Sequence, residues 1–506
     1  MSAGLVALDE LKRELAELKD LVGIASLLAW DQQVMMPSGG AAARADQLST
    51  LGRIIHARAT SPELGKLLDA AEPVTAGLDP DCDDARLVAV ARYDFEKDVK
   101  VPADLRAAMT RVSAEFYPVW VEARRESDFG RFLPYLEQTL ELKRRYIECM
   151  APVTEPYDAL LDDFEQEMTA ATVRPIFARL KEVLIPLVRA AAASGAVDDT
   201  PLRRQLPVAG LQQMEQRVLA RFGFDSAAWR LDTTVHPFET AIAISDIRLT
   251  TRYEVDGLES LFSSMHEFGH GLYEHQIAPE LDSTPLAHGA SLGWHESQSL
   301  LWENLIGRGL PFWERFASEL TGVFPNELGS LAASDIYAMV NKVNPDFIRV
   351  EADETTYNLH VILRFELEQE MLSGELPLAE LPQAWNQRMH DYLGIEVPED
   401  RLGVLQDVHW SQGSFGYFPT YSLGHLRASQ LWQRISTELT ELSEEIRRGE
   451  LASLREWLRE NVHRHGRKLT PAELQDRVLG GAIDPEPFIA RLREKLAGIY
   501  GEALVV

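Results

Sequence analysis

The sequence predicts a mainly α-helical protein. It reads as one large domain, split by a cleft into two lobes, with a small antiparallel β-sheet. Three observations point there. Apolar residues recur at spacings of three and four through the first 225 residues. Short segments rich in β-branched residues cluster only between positions 229 and 253. Helical patterning then resumes at Leu258 and continues, with interruptions, to the end. The chain has 506 residues, 45% of them hydrophobic and 25% charged, as in an ordinary folded globular protein.

The helices follow in order. Leu8, Leu11, Leu15, Leu18 and Val22 keep one face apolar among charged neighbours. The turn Pro37-Ser38-Gly39-Gly40 precedes a second helix over residues 41–59. Further helices fall at 85–99, 102–126, 132–150 and 173–193, broken at proline or glycine. Strands are expected at 231–235, 241–244 and 247–253. No repeat and no long linker interrupts the chain.

Charge and cysteine content narrow the function classes. The net charge is −29. So acidic a surface repels nucleic-acid backbones and anionic membranes, and neither is an expected partner. Only Cys82 and Cys149 occur, too few for a disulfide framework. Two free thiols in a reducing cytoplasm are expected. Charges recur every few residues in the N-terminal stretch, unlike a signal peptide. No window is apolar enough to predict a transmembrane helix.

The chemistry concentrates at His266-Glu267-Phe268-Gly269-His270. Residues four apart on a helix share a face, so two imidazoles there can hold one Zn²⁺. Glu267 lies about 100° round the helix. It cannot readily join the ligand set, but it can reach a metal-bound water, the base position of a zinc peptidase. Leu261, Phe262, Met265, Phe268 and Leu272 surround the motif and predict a buried helix. Burying two histidines and a glutamate is costly unless they are paired or metal-bound. A catalytic zinc wants a third protein ligand. Glu296, in Gly293-Trp294-His295-Glu296-Ser297-Gln298-Ser299, is preferred and His295 is its rival. On a helix the two point about 100° apart, so one at most faces the metal.

His-Glu-Phe-Gly-His followed by His-Glu-Ser-Gln-Ser resembles the carboxypeptidase Taq family of thermostable metallocarboxypeptidases. Further blocks resemble it in order. They are His236-Pro237-Phe238, Asp246-Ile247-Arg248-Leu249-Thr250, Ile348-Arg349-Val350-Glu351-Ala352-Asp353 and Gly403-Val404-Leu405-Gln406-Asp407-Val408-His409-Trp410. An N-terminal piece from Trp30-Asp31-Gln32 through Met36-Pro37 to Arg44 and Gln47 also looks like the family. The likeness runs nearly end to end. It implies a metal-dependent carboxypeptidase that releases single amino acids from peptide C-termini. It further implies a deep groove, zinc or cobalt as the metal, and a homodimer. It places the ligands on His266, His270 and Glu296 and the base on Glu267. Residues 1–506 then form a single metallocarboxypeptidase domain, with 1–225 a helical lobe covering the groove and 226–506 the metal-bearing lobe. Two departures bear on substrate preference. Leu300 stands where the family often has Arg, and residues 239–245 are less Gly-rich and less polar than is usual.

A carboxypeptidase must read a terminal carboxylate, which a guanidinium matches in a bidentate manner. Arg349 is preferred and Arg248 is the second candidate. The competing reading pairs Arg248 with Asp246, and Arg349 with Glu351 or Asp353. An oxyanion needs hydrogen-bond donors, and the glycine-containing stretch 409–421 offers His409 and Tyr417, with Tyr421 behind them. A metal-bound imidazole usually donates its other N–H to a carboxylate or carbonyl. Glu303 is the preferred acceptor, ahead of Ser299 and Asp246, with a backbone carbonyl as the alternative. His463 and His465 read as a solvated basic segment beside Arg464, Arg467 and Lys468. Two rival functions remain: an endo-oligopeptidase on a similar scaffold, and a helical scaffold with a purely structural metal.

Overall fold

The computed structural model describes residues 3–253 and 256–502. Helices dominate. Apolar stripes at helical spacing become buried faces, as in Ala3–Val34, where Leu8, Leu11 and Leu15 are buried with Leu64, Leu68 and Ala71 of helix Pro62–Thr75. The helices Ala41–Ala59, Asp83–Lys100, Ala103–Glu126, Phe129–Met150 and Ala170–Ser194 match the expected spans to within a few residues. Side-chain caps set several starts. Ser61 accepts from Leu64 N at 3.1 Å, Asp128 from Arg131 N at 3.2 Å and Thr169 from Thr172 N at 3.2 Å.

The chain divides into two compact units, each assembled from three stretches. One comprises Met1–Val99, Thr200–Tyr337 and Leu431–Ala482; the other Lys100–Asp199, Ala338–Gln430 and Ile483–Val506. Residue 225 lies inside the first unit. That unit holds the sheet and the His-Glu-x-x-His helix. The second is built round an apolar core that includes Phe116, Phe132, Leu180, Leu363, Trp385 and Phe418.

The sheet has three strands: β1 (Trp229–Thr233), β2 (Glu239–Ala243) and β3 (Asp246–Thr251), in the order β1-β3-β2. It is mixed rather than wholly antiparallel. β2 pairs antiparallel with β3 across a short turn, with Ala241 opposite Ile247. β1 runs parallel to β3, with Leu231 opposite Leu249. Alternation of polar and apolar residues fixes which face is buried but carries no strand direction. Here residues 234–245, including β2, form the connection that a parallel pair needs. Ile247 and Leu249 are fully buried and face helix Glu259–His275.

Candidate metal centre

Helix Glu259–His275 carries the motif between two tight contacts. A Cβ on Gly271 would lie 2.7 Å from Ile247 Cγ2 and 2.8 Å from the Trp229 ring, so the sheet packs against bare backbone. A Cβ on Gly269 would lie 2.5 Å from the Gln298 carbonyl oxygen and 2.6 Å from Ser299 Cα. The second ligand-bearing helix, Leu292–Leu300, therefore approaches at backbone distance. Ser291 caps that helix, accepting from Trp294 N at 3.2 Å. Beyond Leu300 the helix continues as a π-helical stretch, Leu301–Gly307, a wider turn that recurs at functional sites.

This close approach brings Glu296 to the two histidines. Its Oε2 lies 3.8 Å from His266 Nε2 and 3.6 Å from His270 Nε2. All three ligand atoms fall within 4.8 Å of one another. Ligand atoms about 2.0–2.1 Å from a tetrahedral ion sit roughly 3.3–3.5 Å apart, so the triad needs only a small closure to grip one. The donor set, two imidazoles and a carboxylate, matches the three protein ligands that a catalytic zinc site requires. Electrostatics favour a cation here. Burial works against charge on His266, but the Glu296, Glu303 and Glu267 carboxylates outweigh it and raise its pKa to about 10. His270 is driven well below the ordinary range by burial, with His266 and His295 adding to the effect. It is therefore neutral, the form that ligates. Glu267 is pushed up to about 7, chiefly by burial, with His266 opposing and Glu296 and Glu303 assisting. The Glu239 backbone, at the start of β2, opposes that rise.

The imidazole nitrogens turned away from Glu296 are both occupied. Glu303 Oε2 lies 2.9 Å from His266 Nδ1, as the sequence reading expected, and Arg308 Nη2 reaches the other Glu303 oxygen at 3.2 Å. His270 Nδ1 lies 2.8 Å from His295 Nδ1, and His295 Nε2 lies 2.7 Å from Glu274 Oε1. His288 Nδ1, at 2.6 Å, and Gly289 N, at 2.9 Å, meet the same Glu274 oxygen. Burial opposes charge on Glu274, but His288 and His295 outweigh it and hold the carboxyl well below its ordinary pKa. Sequence reasoning cast His295 as a rival ligand and overlooked Glu274. The available signal was spacing, since Glu274 stands one helical turn beyond His270.

His463 corrects the expectation of a solvated segment. It is fully buried, with Nδ1 2.7 Å from Gln276 Oε1 and Nε2 2.8 Å from Gln298 Oε1. Its basic neighbours turn outward instead, Arg467 to Asp94 at 2.7 Å and Lys468 to Asp83 at 2.6 Å. Arg248 takes the pairing that the sequence left open. Its guanidinium meets Asp246 through two bonds of 2.9 Å and stacks on Trp30 at 4.4 Å.

In the second unit, Arg349, His409, Tyr417 and Tyr421 lie together. Arg349 is buried and pairs with neither Glu351 nor Asp353. Its Nε donates to Asp407 at 3.0 Å and its Nη1 to Tyr357 Oη at 2.7 Å, and its guanidinium sits 4.6 Å from the Tyr421 ring centre. Asp407 also accepts from Arg364 Nε at 2.7 Å. His409 Nε2 lies 3.1 Å from Tyr421 Oη, and Tyr417 packs edge-on against the His409 ring at 5.1 Å. Burial, with Arg349 nearby, lowers the His409 pKa to about 3, so this imidazole is neutral.

Comparison with known proteins converges on one family. The profile of the carboxypeptidase Taq (M32) metallopeptidases matches residues 10–496. Thermostable carboxypeptidase 1 of Thermus thermophilus is 41% identical over 97% of this chain and 98% of its own length. Carboxypeptidase 1 of Bacillus subtilis is 38% identical over 94% and 95%. The crystal structure of an M32 carboxypeptidase from Deinococcus radiodurans R1 superposes with a TM-score of 0.95 at 40% identity, covering 98% of this chain and all of that one. With His266, His270 and Glu296 converging, the buried glutamate beside them and a profile match along almost the whole sequence, this chain belongs to the carboxypeptidase Taq (M32) metallopeptidase family.

Proposed function

We propose that the chain acts as a metal-dependent carboxypeptidase, releasing single amino acids from peptide C-termini. Zn²⁺ is the proposed ion, held by His266, His270 and Glu296, and Co²⁺ is an acceptable substitute. The observation that carries this reading is the convergence of that triad beside the buried Glu267. A divalent cation held by His266, His270 and Glu296 would supply Lewis acidity there. To Glu267, buried beside the triad, we assign the proton of the attacking water, which it passes on to the leaving amine. To Arg349 we assign the substrate's terminal carboxylate. Asp407 fixes one edge of its guanidinium, which favours a defined orientation. Arg248 is the weaker candidate, because Asp246 faces its fork. His409 and Tyr417 are assigned hydrogen bonds to the developing oxyanion, and a neutral His409 retains an N–H to give.

The whole chain, residues 1–506, is proposed to serve as one metallocarboxypeptidase domain. A homodimer is proposed on the family likeness. A cytoplasmic location is supported by the free thiols of Cys82 and Cys149. Among the described residues, no helix is long and apolar enough to cross a membrane. The test is product analysis on matched peptides with free and amidated C-termini, using metal-stripped protein reloaded with Zn²⁺ or Co²⁺. Stepwise release from free C-termini alone supports the reading. Internal cleavage, or equal turnover of amidated peptides, would move the chain to the endopeptidases.

A further inference from the structure

We propose that Glu368 is a positioning residue for the peptidase reaction: its carboxyl clamps both ends of the segment that carries His409 and Tyr417. The proposal rests on the reading above, which assigns those two side chains to the developing oxyanion. Glu368 lies on helix Glu354–Ser373 and is fully buried. Its Oε1 accepts from the indole Nε1 of Trp410 at 2.8 Å. Its Oε2 accepts from the backbone N–H of Gly416 at 3.0 Å, and Tyr157 Oη lies 2.6 Å from the same oxygen. Trp410 directly follows His409, and Gly416 directly precedes Tyr417. One side chain thus fastens the neighbours of both assigned donors. An indole N–H and a backbone N–H can only donate. Both tethers therefore hold whether or not the carboxyl carries a proton, and neither needs a metal.

The rest of the segment is shaped around this clamp. Gly416 takes a φ of +86°, and a Cβ there would lie 2.6 Å from the Leu160 carbonyl oxygen. The segment thus passes helix Pro156–Leu161, which carries Tyr157, at backbone distance. Between the tethers the chain folds back on itself. Gly413 N donates to the Trp410 carbonyl at 3.1 Å and Ser414 N to the His409 carbonyl at 2.9 Å. This return sets the Tyr417 ring against the His409 ring. Arg364, one helical turn before Glu368, holds Asp407 just upstream. A single helix therefore secures the chain at Asp407, Trp410 and Gly416. Two donors that serve one oxyanion must keep a fixed relation to each other, and Glu368 supplies it through Trp410 and Gly416.

The test uses the metal-loaded full chain. Glutamine keeps one acceptor oxygen, but its amide nitrogen must face either the indole or the Gly416 N–H, so one tether breaks. Glu368→Gln should lower kcat on a peptide with a free C-terminus by about 10–100-fold, as displaced catalytic groups do, with KM and bound metal unchanged. Tyr417→Phe should then cost far less kcat on the Glu368→Gln background than on the wild-type one, because the group it removes is already out of place. Unchanged kcat in folded Glu368→Gln, or an equal loss from Tyr417→Phe on both backgrounds, overturns the proposal. Should Glu368→Gln fail to fold, Trp410→Phe, which cuts one tether only, enters the same cycle. Amide hydrogen exchange gives a readout free of activity. Exchange across residues 409–417 must quicken in the variant while that of helix Phe129–Met150 does not. No change in the segment, or a rise in both, overturns the clamp. Wild-type protein without peptidase activity, or a Tyr417→Phe that leaves wild-type kcat intact, sinks the peptidase or oxyanion assignment instead, and exchange still judges the clamp.

Discussion

Replacing Asp407 by asparagine should destabilise the protein strongly, by an amount that depends on pH. Asp407 is the shared counter-charge of two buried guanidiniums. It meets Arg349 Nε at 3.0 Å and Arg364 Nη2 at 2.6 Å. At charge separations of about 4 Å and an effective dielectric near 20, each pair is worth roughly 4 kcal/mol before desolvation is subtracted. Asparagine keeps one acceptor oxygen but turns an amino group toward the other arginine. Removing one partner of a buried ion pair costs about 3–5 kcal/mol. With an unfolding entropy of about 2.1 cal/mol/K per residue, a chain of 506 residues shifts by roughly 1 °C per kcal/mol, so the Tm should fall by about 3–5 °C. Burial pushes the Asp407 pKa up, but Arg364 and Arg349 outweigh it and hold the carboxyl well below the usual carboxylate range. An acid depressed in the folded state binds fewer protons there than in the unfolded chain. Its stabilisation is therefore complete above the unfolded value of about 3.9 and is lost as pH falls through the folded value. The gap between wild type and Asp407→Asn should stay constant from pH 8 to 5 and narrow below pH 4. Thermal melts across that range provide the assay. A Tm within 2 °C of wild type at pH 7, or a gap that does not narrow in acid, refutes the reasoning.

Four further substitutions probe the site. Glu267→Gln should retain metal, by elemental analysis, and lose about 10²-fold or more in kcat, the usual scale of general-base catalysis. Arg349→Ala should raise KM for peptides with a free C-terminus by the equivalent of about 2–4 kcal/mol, and an unchanged KM would move the carboxylate site elsewhere. Glu303→Ala removes the partner of His266 Nδ1 and should weaken Zn²⁺ binding by about 10–100-fold in a chelator titration. Gly269→Ala drives a methyl group into the backbone at Gln298. It should cost about 1–3 kcal/mol in thermal melts and weaken metal binding as Glu296 is displaced.

The helices were legible because their signal is local. A stripe such as Leu8, Leu11 and Leu15 needs only its own neighbours to be read, and the structure buries it. The two candidate ligand histidines were legible for the same reason, since His266 and His270 are one turn apart, whereas the preference for Glu296 over its neighbour His295 leaned on the family resemblance. Glu303 was found by asking what could satisfy an imidazole N–H seven residues along a helix. What stayed hidden depends on packing between segments distant in sequence. Nothing local says that β1 runs parallel to β3. His463 read as polar surface because its neighbours are basic, yet it fills a buried space between Gln276 and Gln298. Asp407, rather than Glu351 or Asp353, holds Arg349, because the acid that matters is 58 positions away.

The two bare flanks of the metal helix have a mechanical consequence. Most packed helices meet their neighbours through side chains, which can change rotamer and absorb small shifts. Here Gly271 rests on Ile247 and Trp229, and Gly269 rests on the Gln298 backbone, with no side chain of their own between. Such a contact is nearly incompressible. A sideways displacement of β3 therefore bears on the backbone of this helix, whose other flank bears on the backbone of the helix that holds Glu296. The sheet thus works as an anvil for the helix that carries His266 and His270.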